Sequence, residues 1–125
     1  AKVLESQIVG AVPGERFVVM AEGAGDLVMS AAEPQLQALV KACASYDQWF
    51  IAEGEVSTLK SAQGFLGLVK SSRRGLALQP DQETGSFFNT QFPRINRSDF
   101  PEGRGFLVGS GRAEVVQVGL SERGG

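Results

Sequence analysis

The apolar positions of the chain begin with a helical period and then change to an unbroken run, which predicts a helix followed by a strand. The helix is predicted over residues 1–12, where four apolar side chains recur at helical spacing: Leu4, Ile8, Ala11 and Val12. Pro13 and Gly14 end it. Residues 17–21, FVVMA, contain no polar side chain, and such a run is typical of a strand that is buried on both faces of a parallel sheet.

A second helix and a second strand are predicted next. Pro34 suits the first turn of a helix, and Ser30 with Glu33 fits a capping box that would start the helix one turn earlier. The apolar face of this helix is formed by Leu36, Leu39, Val40 and Cys43. Residues 48–52, QWFIA, are the second short apolar strand.

The third helix is predicted over residues 56–72 and contains two glycines. Gly64 and Gly67 each weaken it by roughly 1 kcal/mol relative to alanine, although they permit close packing. Its buried face comprises Leu59, Ala62, Leu66 and Val69. Its last turn carries three cations that favour the helix dipole, Lys70, Arg73 and Arg74, and Gly75 suits the C-cap.

The last third of the chain changes character. Residues 76–79 predict a third strand, and residues 82–103 predict a long loop anchored on the core by Phe87, Phe88, Phe92 and Phe100. GFLVG and AEVVQVG predict two strands of a hairpin that turns at Ser110 and Gly111, and SERGG predicts a frayed end. The fold class is therefore α/β, a single domain over residues 1–125 with a mostly parallel sheet and a C-terminal antiparallel hairpin.

Composition excludes several kinds of chemistry. The 125 residues include no histidine, which removes Ser-His-Asp and Cys-His nucleophile systems and most zinc sites. Cys43 is the only cysteine, so no intrachain disulfide can form, and its apolar spacing predicts a small buried hydrophobe. The formal net charge is −2, which gives no bulk attraction for nucleic acid. No stretch predicts a membrane span or a signal peptide, and the expected location is cytoplasmic.

The first strand ends in a candidate catalytic position. In nucleotide-hydrolysing α/β proteins a carboxylate at the end of a buried strand orders magnesium, and a second one often polarises the attacking water. Glu22 occupies the first of these positions, but Gly23 occupies the second. Asp26 lies three residues beyond and suits a turn, and Glu53 ends the second strand in the same way as Glu22 ends the first. A polar site and two solvated strand ends both explain these carboxylates.

A phosphate cradle is missing from the sequence. The motif G-x-x-x-x-G-K-[ST] does not occur, and the glycines of GRGFLVGSGR precede a strand instead of a helix. The densest basic cluster, KSSRRG at residues 70–75, suits either an arginine finger made by Arg73 or Arg74 or charge compensation at a helix end. Arg94, Arg97 and Arg104, interleaved with phenylalanines, would extend such a basic surface.

Several of these stretches together resemble the C-terminal half of an FtsK/SpoIIIE-type ATPase domain. The likeness spans roughly residues 12–122 and is closest to the degenerate later domains of the type VII secretion ATPases. It rests on the set FVVMAEGAGDL, WFIAEGEV, SRRGLALQPD, FPR, EGRGFLV and EVVQVG. The resemblance implies a partial RecA-like P-loop NTPase sandwich, assembly into a ring or stacked array, and transport of DNA or secreted protein by a membrane-associated machine.

The same resemblance assigns the candidate site and its defects. Residues 17–23 would be the Walker B strand, with Glu22 as its degenerate acid, and residues 49–54 the sensor strand, with AEG in place of a Thr-Gln type sensor. The Walker A half is absent, so no cofactor or metal is expected on this chain, whereas ATP and Mg²⁺ would belong to an active parent protein. The expected partners are other domains or subunits of the translocase, its cargo, and further copies of the chain.

Three hypotheses remain open from the sequence. The chain is a non-catalytic C-terminal segment of a translocase ATPase, or half of an active ATPase with Glu22 as acid and Arg73 or Arg74 as finger. The third is a plain interaction module, because an α/β sheet without its first βα unit should expose an apolar edge or face.

Overall fold

The computed structural model describes residues 2–59 and 63–119. The chain forms two compact units, Ala1–Ser72 and Arg73–Gly125. The first unit contains the helices α1 (Lys2–Val9), α2 (Glu33–Ser45), α3 (Val56–Leu59) and α4 (Phe65–Lys70) with the strands β1 (Val18–Ala21) and β2 (Trp49–Ala52). The second contains β3 (Gly75–Leu78), α5 (Gln82–Phe87), β4 (Arg104–Gly109) and β5 (Arg112–Gln117). The predicted frayed end, SERGG, lies outside the described residues.

The sheet of the first unit is a pair of parallel strands. β1 pairs with β2 in a register that sets Val18 beside Trp49 and Ala21 beside Ala52. Side chains alternate between the two faces of a strand, so one face is covered and the other is open. The open face carries four large apolar side chains that are 59%, 67%, 62% and 40% exposed: Val18, Met20, Trp49 and Ile51.

Helices cover the other face of this sheet and form two apolar clusters with it. Ile8 of α1 and Leu39 and Cys43 of α2 are buried together with Ala42, and Val19 and Phe50 pack against them. The second cluster is built on Ala24, Phe65 and Leu66. Phe50 joins the two clusters, because its ring also meets Phe65 edge-on at 6.2 Å between centroids.

The predicted continuous helix over residues 56–72 is wrong. The structure has two short helices, and Gly64 between them has φ 61° and ψ −133°, which is not helical. At the start of α4 the Oε1 of Glu33 accepts a hydrogen bond from the Phe65 amide at 2.6 Å. Glu33 thus holds the start of α4 from across the unit and does not close a capping box at its own helix, whose N-cap is Ala32. The predicted buried position Ala62 lies outside the described residues.

The second unit is built on a three-stranded antiparallel sheet in the order β3-β4-β5. The predicted hairpin at Ser110 and Gly111 is confirmed, and both residues have positive φ, 53° and 74°, as a type I′ turn requires. β3 pairs antiparallel with β4, so the third strand does not continue a parallel sheet. Gly105 allows this pairing to be close, because a Cβ there would overlap the carbonyl oxygen of Ala77.

Aromatic rings cover one face of this second sheet. Phe92 stacks on the buried Phe106 at 4.7 Å between centroids, and Phe100 lies tilted at 5.4 Å from the same ring. The predicted anchoring of residues 82–103 by phenylalanines is therefore confirmed for these two. The prediction that the whole segment is a loop is wrong, because α5 forms in it. Asp81 and Thr84 make the reciprocal hydrogen bonds of a capping box that starts this helix.

The observed fold class is mixed α/β, with a small parallel sheet and a separate antiparallel one. The prediction of a mostly parallel sheet fails at β3, where the chain enters its second compact unit. No helix of the described residues is long and apolar enough to cross a membrane.

Replacing Gly64 by alanine tests the junction between α3 and α4. We expect Gly64→Ala to destabilise the first unit by about 2 kcal/mol or more, because the new Cβ would occupy the space of the Glu33 carboxylate at a left-handed φ. Gly14→Ala is the matched control: φ is +93° there, but nothing lies within 4 Å, so strain alone should cost about 1 kcal/mol. Urea unfolding followed by Trp49 fluorescence measures both. Equal losses would mean that the Glu33 contact is unimportant.

Burial raises the pKa of the Cys43 thiol above its ordinary value of 9.0. The thiol therefore stays protonated in the folded chain while the unfolded chain ionises, so the free energy of unfolding should fall as the pH rises above about 9. Cys43→Ala should remove this part of the fall, leaving the slope caused by other groups. Unfolding curves of both proteins between pH 7 and 10 give the comparison. Parallel curves over the whole range would contradict the expectation.

Candidate functional site

The carboxyl ends of β1 and β2 bring the predicted Walker B position and the sensor strand together. Because the strands are parallel and in register, Glu22 and Glu53 follow the paired residues Ala21 and Ala52 at one edge of the sheet. Both glutamates are exposed. The two glutamates therefore follow neighbouring strands at the same edge of the sheet, and the turn that follows β1 determines their surroundings.

Glu53 binds the turn that follows β1. Its Oε2 accepts a hydrogen bond from the Gly23 amide at 3.1 Å, and its carbonyl oxygen accepts one from the Ala24 amide at 2.9 Å. Its own amide donates to the carbonyl of Ala21 at 2.9 Å, continuing the parallel ladder. Three hydrogen bonds thus join Glu53 to residues 21–24, and its carboxylate acts as a cap for this turn.

Gly23 has the backbone conformation that the turn after β1 requires. Its φ of 56° and ψ of 41° are left-handed, a conformation that glycine adopts without penalty. The chain then enters a 3-10 helix, Ala24–Leu27, in which Ala24 is fully buried. Gly25 in this helix lies so close to α3 that a Cβ would be 2.9 Å from that of Thr58. Gly23, which stands at the predicted position of a second acid, therefore has a structural role.

Glu22, the predicted Walker B acid, lies at the carboxyl end of β1 without supporting groups among the described residues. No hydrogen bond or ion pair to it is formed within residues 2–59 and 63–119. Asp26, the other acid of the turn, is exposed and donates its amide to the Gly23 carbonyl at 3.0 Å. Among the described residues, no group of three or more histidine, cysteine, aspartate or glutamate side chains is placed to hold a metal ion.

The candidate arginine finger lies in the other compact unit. α4 ends at Lys70, so the prediction that Arg73 and Arg74 form the last turn of a helix is wrong. Both are exposed residues at the start of the second unit, and Gly75 begins β3 instead of capping a helix. Arg73 has a left-handed φ of 52°, and Arg74 makes an interaction within the chain.

Two functional details escaped the sequence analysis. The bond from Glu53 to the Gly23 amide spans 30 residues, and the bond from Glu33 to the Phe65 amide spans 32. A partial signal for the first exists, because a glutamate following a parallel strand stands beside the turn that follows its neighbour. Nothing in the local pattern around Glu33 indicates the second.

The chain matches no family model, no curated protein and no solved structure. The geometry of the described residues is therefore the basis for the function proposed below.

Truncating Glu53 tests its role as a cap. We expect Glu53→Ala to lower the free energy of unfolding by about 1 kcal/mol, since a hydrogen bond from the Gly23 amide to a charged acceptor is lost at an exposed position. Glu22→Ala, one strand away at the same edge, should change stability by less than about 0.5 kcal/mol. Thermal unfolding of both variants measures the difference, and an equal effect would remove the distinction between the two glutamates.

Proposed function

We propose that the chain is a non-catalytic C-terminal segment of an FtsK/SpoIIIE-like translocase ATPase, serving assembly or recognition of a DNA or protein cargo. The observation that carries this proposal is the hydrogen bonding of the backbone amides that follow β1 in the chain. Those of Gly23 and Ala24 already donate to Glu53, so they are not available to a phosphate group.

Binding a nucleotide requires hydrogen-bond donors that the described residues at this edge of the sheet do not offer. Phosphates are held by backbone N–H groups at the start of a helix and by a lysine. Here the segment after β1 is a four-residue 3-10 helix entered through Gly23, and the residues at the edge are acidic. Glutamates repel a triphosphate, and without a bound nucleotide Glu22 has no phosphate-bridged Mg²⁺ to order.

The parallel pair β1–β2 and its open apolar face support the assembly role. Parallel sheets are normally covered on both faces. Here α2 and α4 lie on one side, while Val18 and Met20 on the other are more than half exposed. A segment that completes its sheet against other domains or subunits of a translocase would present such a face.

The second candidate is half of an active ATPase whose P-loop is supplied upstream. The observation that favours it is Glu22 itself, an exposed carboxylate at the carboxyl end of a parallel strand, beside the strand that resembles the sensor. In a longer protein with a Walker A motif, Glu22→Gln should then reduce ATP turnover by about a hundredfold or more. Unchanged turnover would eliminate this candidate.

Calorimetric titration of the 125-residue chain with Mg-ATP tests the main proposal. We expect no saturable heat at millimolar nucleotide and no rise in Tm, because the amides behind β1 are already bonded. A ligand present at a hundred times its Kd would stabilise the fold by about 2.7 kcal/mol, which a thermal melt detects easily. Binding with a micromolar Kd would overturn the proposal.

The cargo and assembly role needs its own experiment. With the wild-type chain as bait, a pull-down should recover the other domains or subunits of the parent translocase. The Met20→Asp variant should recover less of them. Leu107→Asp, at an exposed leucine of the second unit, is the matched control. A chain that binds neither the translocase nor its cargo would count against the family assignment, irrespective of the nucleotide result.

A further inference from the structure

The open face of the β1–β2 sheet is an apolar surface whose two ends carry different charged groups. Val18 and Trp49 form one cross-strand row and Met20 and Ile51 the next, and all four side chains are exposed. We call these four residues the outer face. It lies entirely within the first compact unit. Four adjacent exposed apolar side chains on one small sheet form a continuous patch of the kind that marks an interaction site.

The two ends of the outer face differ in charge. At the amino end Arg16 and Asp47 form an ion pair at 2.8 Å, and the carboxylate of the neighbouring Glu15 accepts a hydrogen bond from the Val12 amide. At the carboxyl end stand Glu22 and Glu53, with Asp26 in the adjoining turn. Across the described segments 2–59 and 63–119 no lysine or arginine pairs with these three carboxylates. The surface therefore has an arginine paired with Asp47 at its amino end, an apolar middle, and at its carboxyl end carboxylates without a cationic partner among the described residues.

We infer that the outer face is the docking site for an amphipathic helix of a partner protein, with lysine or arginine where the helix passes over Glu22 and Glu53. A helix is the element that covers the faces of parallel sheets, as α2 and α4 already do on the opposite side. Its apolar stripe would bury the outer face, and its cations would meet the anionic end. This inference does not depend on the family assignment.

A second copy of the chain fits the outer face less well. If two copies stacked with parallel strands, Glu22 and Glu53 of one would meet the same two residues of the other, bringing four carboxylates together. If they stacked antiparallel, each anionic end would meet a neutral Arg16–Asp47 pair. Neither arrangement gains electrostatic attraction, whereas a cationic helix does.

A lipid surface is also disfavoured. Apolar side chains with a tryptophan suit the membrane interface, but interfacial segments are normally flanked by cations that attract anionic headgroups. The carboxylates of Glu22 and Glu53 would be repelled there. The charge at the end of the outer face therefore selects a basic protein helix over a bilayer.

Trp49 provides the readout, because it is the only tryptophan of the chain and belongs to the outer face. The probes are two designed helical peptides with the same leucine stripe, one ending in two lysines and the other in two glutamates. The lysine peptide should shift Trp49 emission to the blue and bind about tenfold more tightly than the glutamate peptide. Adding salt should reduce that difference.

Variants make the test specific. Glu22→Lys should reduce the preference, and the double variant Glu22→Lys with Glu53→Lys should reverse it. Met20→Asp should abolish binding, whereas Leu107→Asp, at a leucine of the second unit that is 50% exposed, should leave it unchanged. Circular dichroism checks that each variant is folded, and Glu22→Lys alone keeps the test valid if loss of the Glu53 cap impairs folding.

Four results would overturn the inference. Equal affinity for the two peptides, or no shift of Trp49 emission, would contradict the role of charge or of the outer face itself. Self-association that shifts Trp49 in proportion to chain concentration would assign the outer face to a second copy. A blue shift with phosphatidylcholine and phosphatidylserine vesicles, without any binding of the lysine peptide, would assign it to a membrane.

Discussion

The hydrogen bonds between Glu53 and the turn after β1 determine what the carboxyl edge of the parallel sheet can do. One residue contributes its amide to the ladder, its carbonyl to the Ala24 amide and its carboxylate to the Gly23 amide. The turn is thereby fixed with its first two N–H groups satisfied. The amides that follow β1 therefore belong to the scaffold, because they are bonded within the chain.

This constraint also explains why the two glutamates at the edge are not equivalent. Glu22 and Glu53 follow their strands in the same register and carry the same charge, yet within residues 2–59 and 63–119 the carboxylate of Glu53 accepts a hydrogen bond from a backbone amide and that of Glu22 does not. Replacing Gly23 by an acid would put a side chain at a left-handed φ, next to Asp26. Placing a second acid at this position would therefore require the turn itself to change, which a single substitution does not achieve.

The sequence predicted those elements whose stability is local. The apolar spacing of α2 and the Ser110-Gly111 hairpin are confirmed. Both can be predicted because helical periodicity and a turn with two left-handed residues depend on residues that are close together in the sequence. The prediction failed where a distant residue contributes: at the start of α4, Glu33 accepts a hydrogen bond from the Phe65 amide, 32 positions away in the sequence. It also missed the short helix α5, whose only local signal is the Asp81–Thr84 capping box in a polar segment. For the site, the placement of Glu22 and Glu53 at one edge could be predicted from parallel pairing, whereas the hydrogen bond from the Gly23 amide to Glu53 had only a partial signal, the position of Glu53 beside the turn.

The outer face and the carboxyl edge are consequences of the same parallel pairing. Because β1 and β2 run together, their alternating side chains place Val19 and Phe50 against the helices and leave the outer face in solvent. The same pairing collects the following acids at one end, so the apolar surface necessarily carries a charge gradient. Two properties of the surface therefore select a partner: its apolar area contributes affinity, and its charge sets the orientation of the bound helix. That combination is more restrictive than an exposed patch alone, because a helix docked in the reverse direction would place its cations over the already neutral Arg16–Asp47 pair.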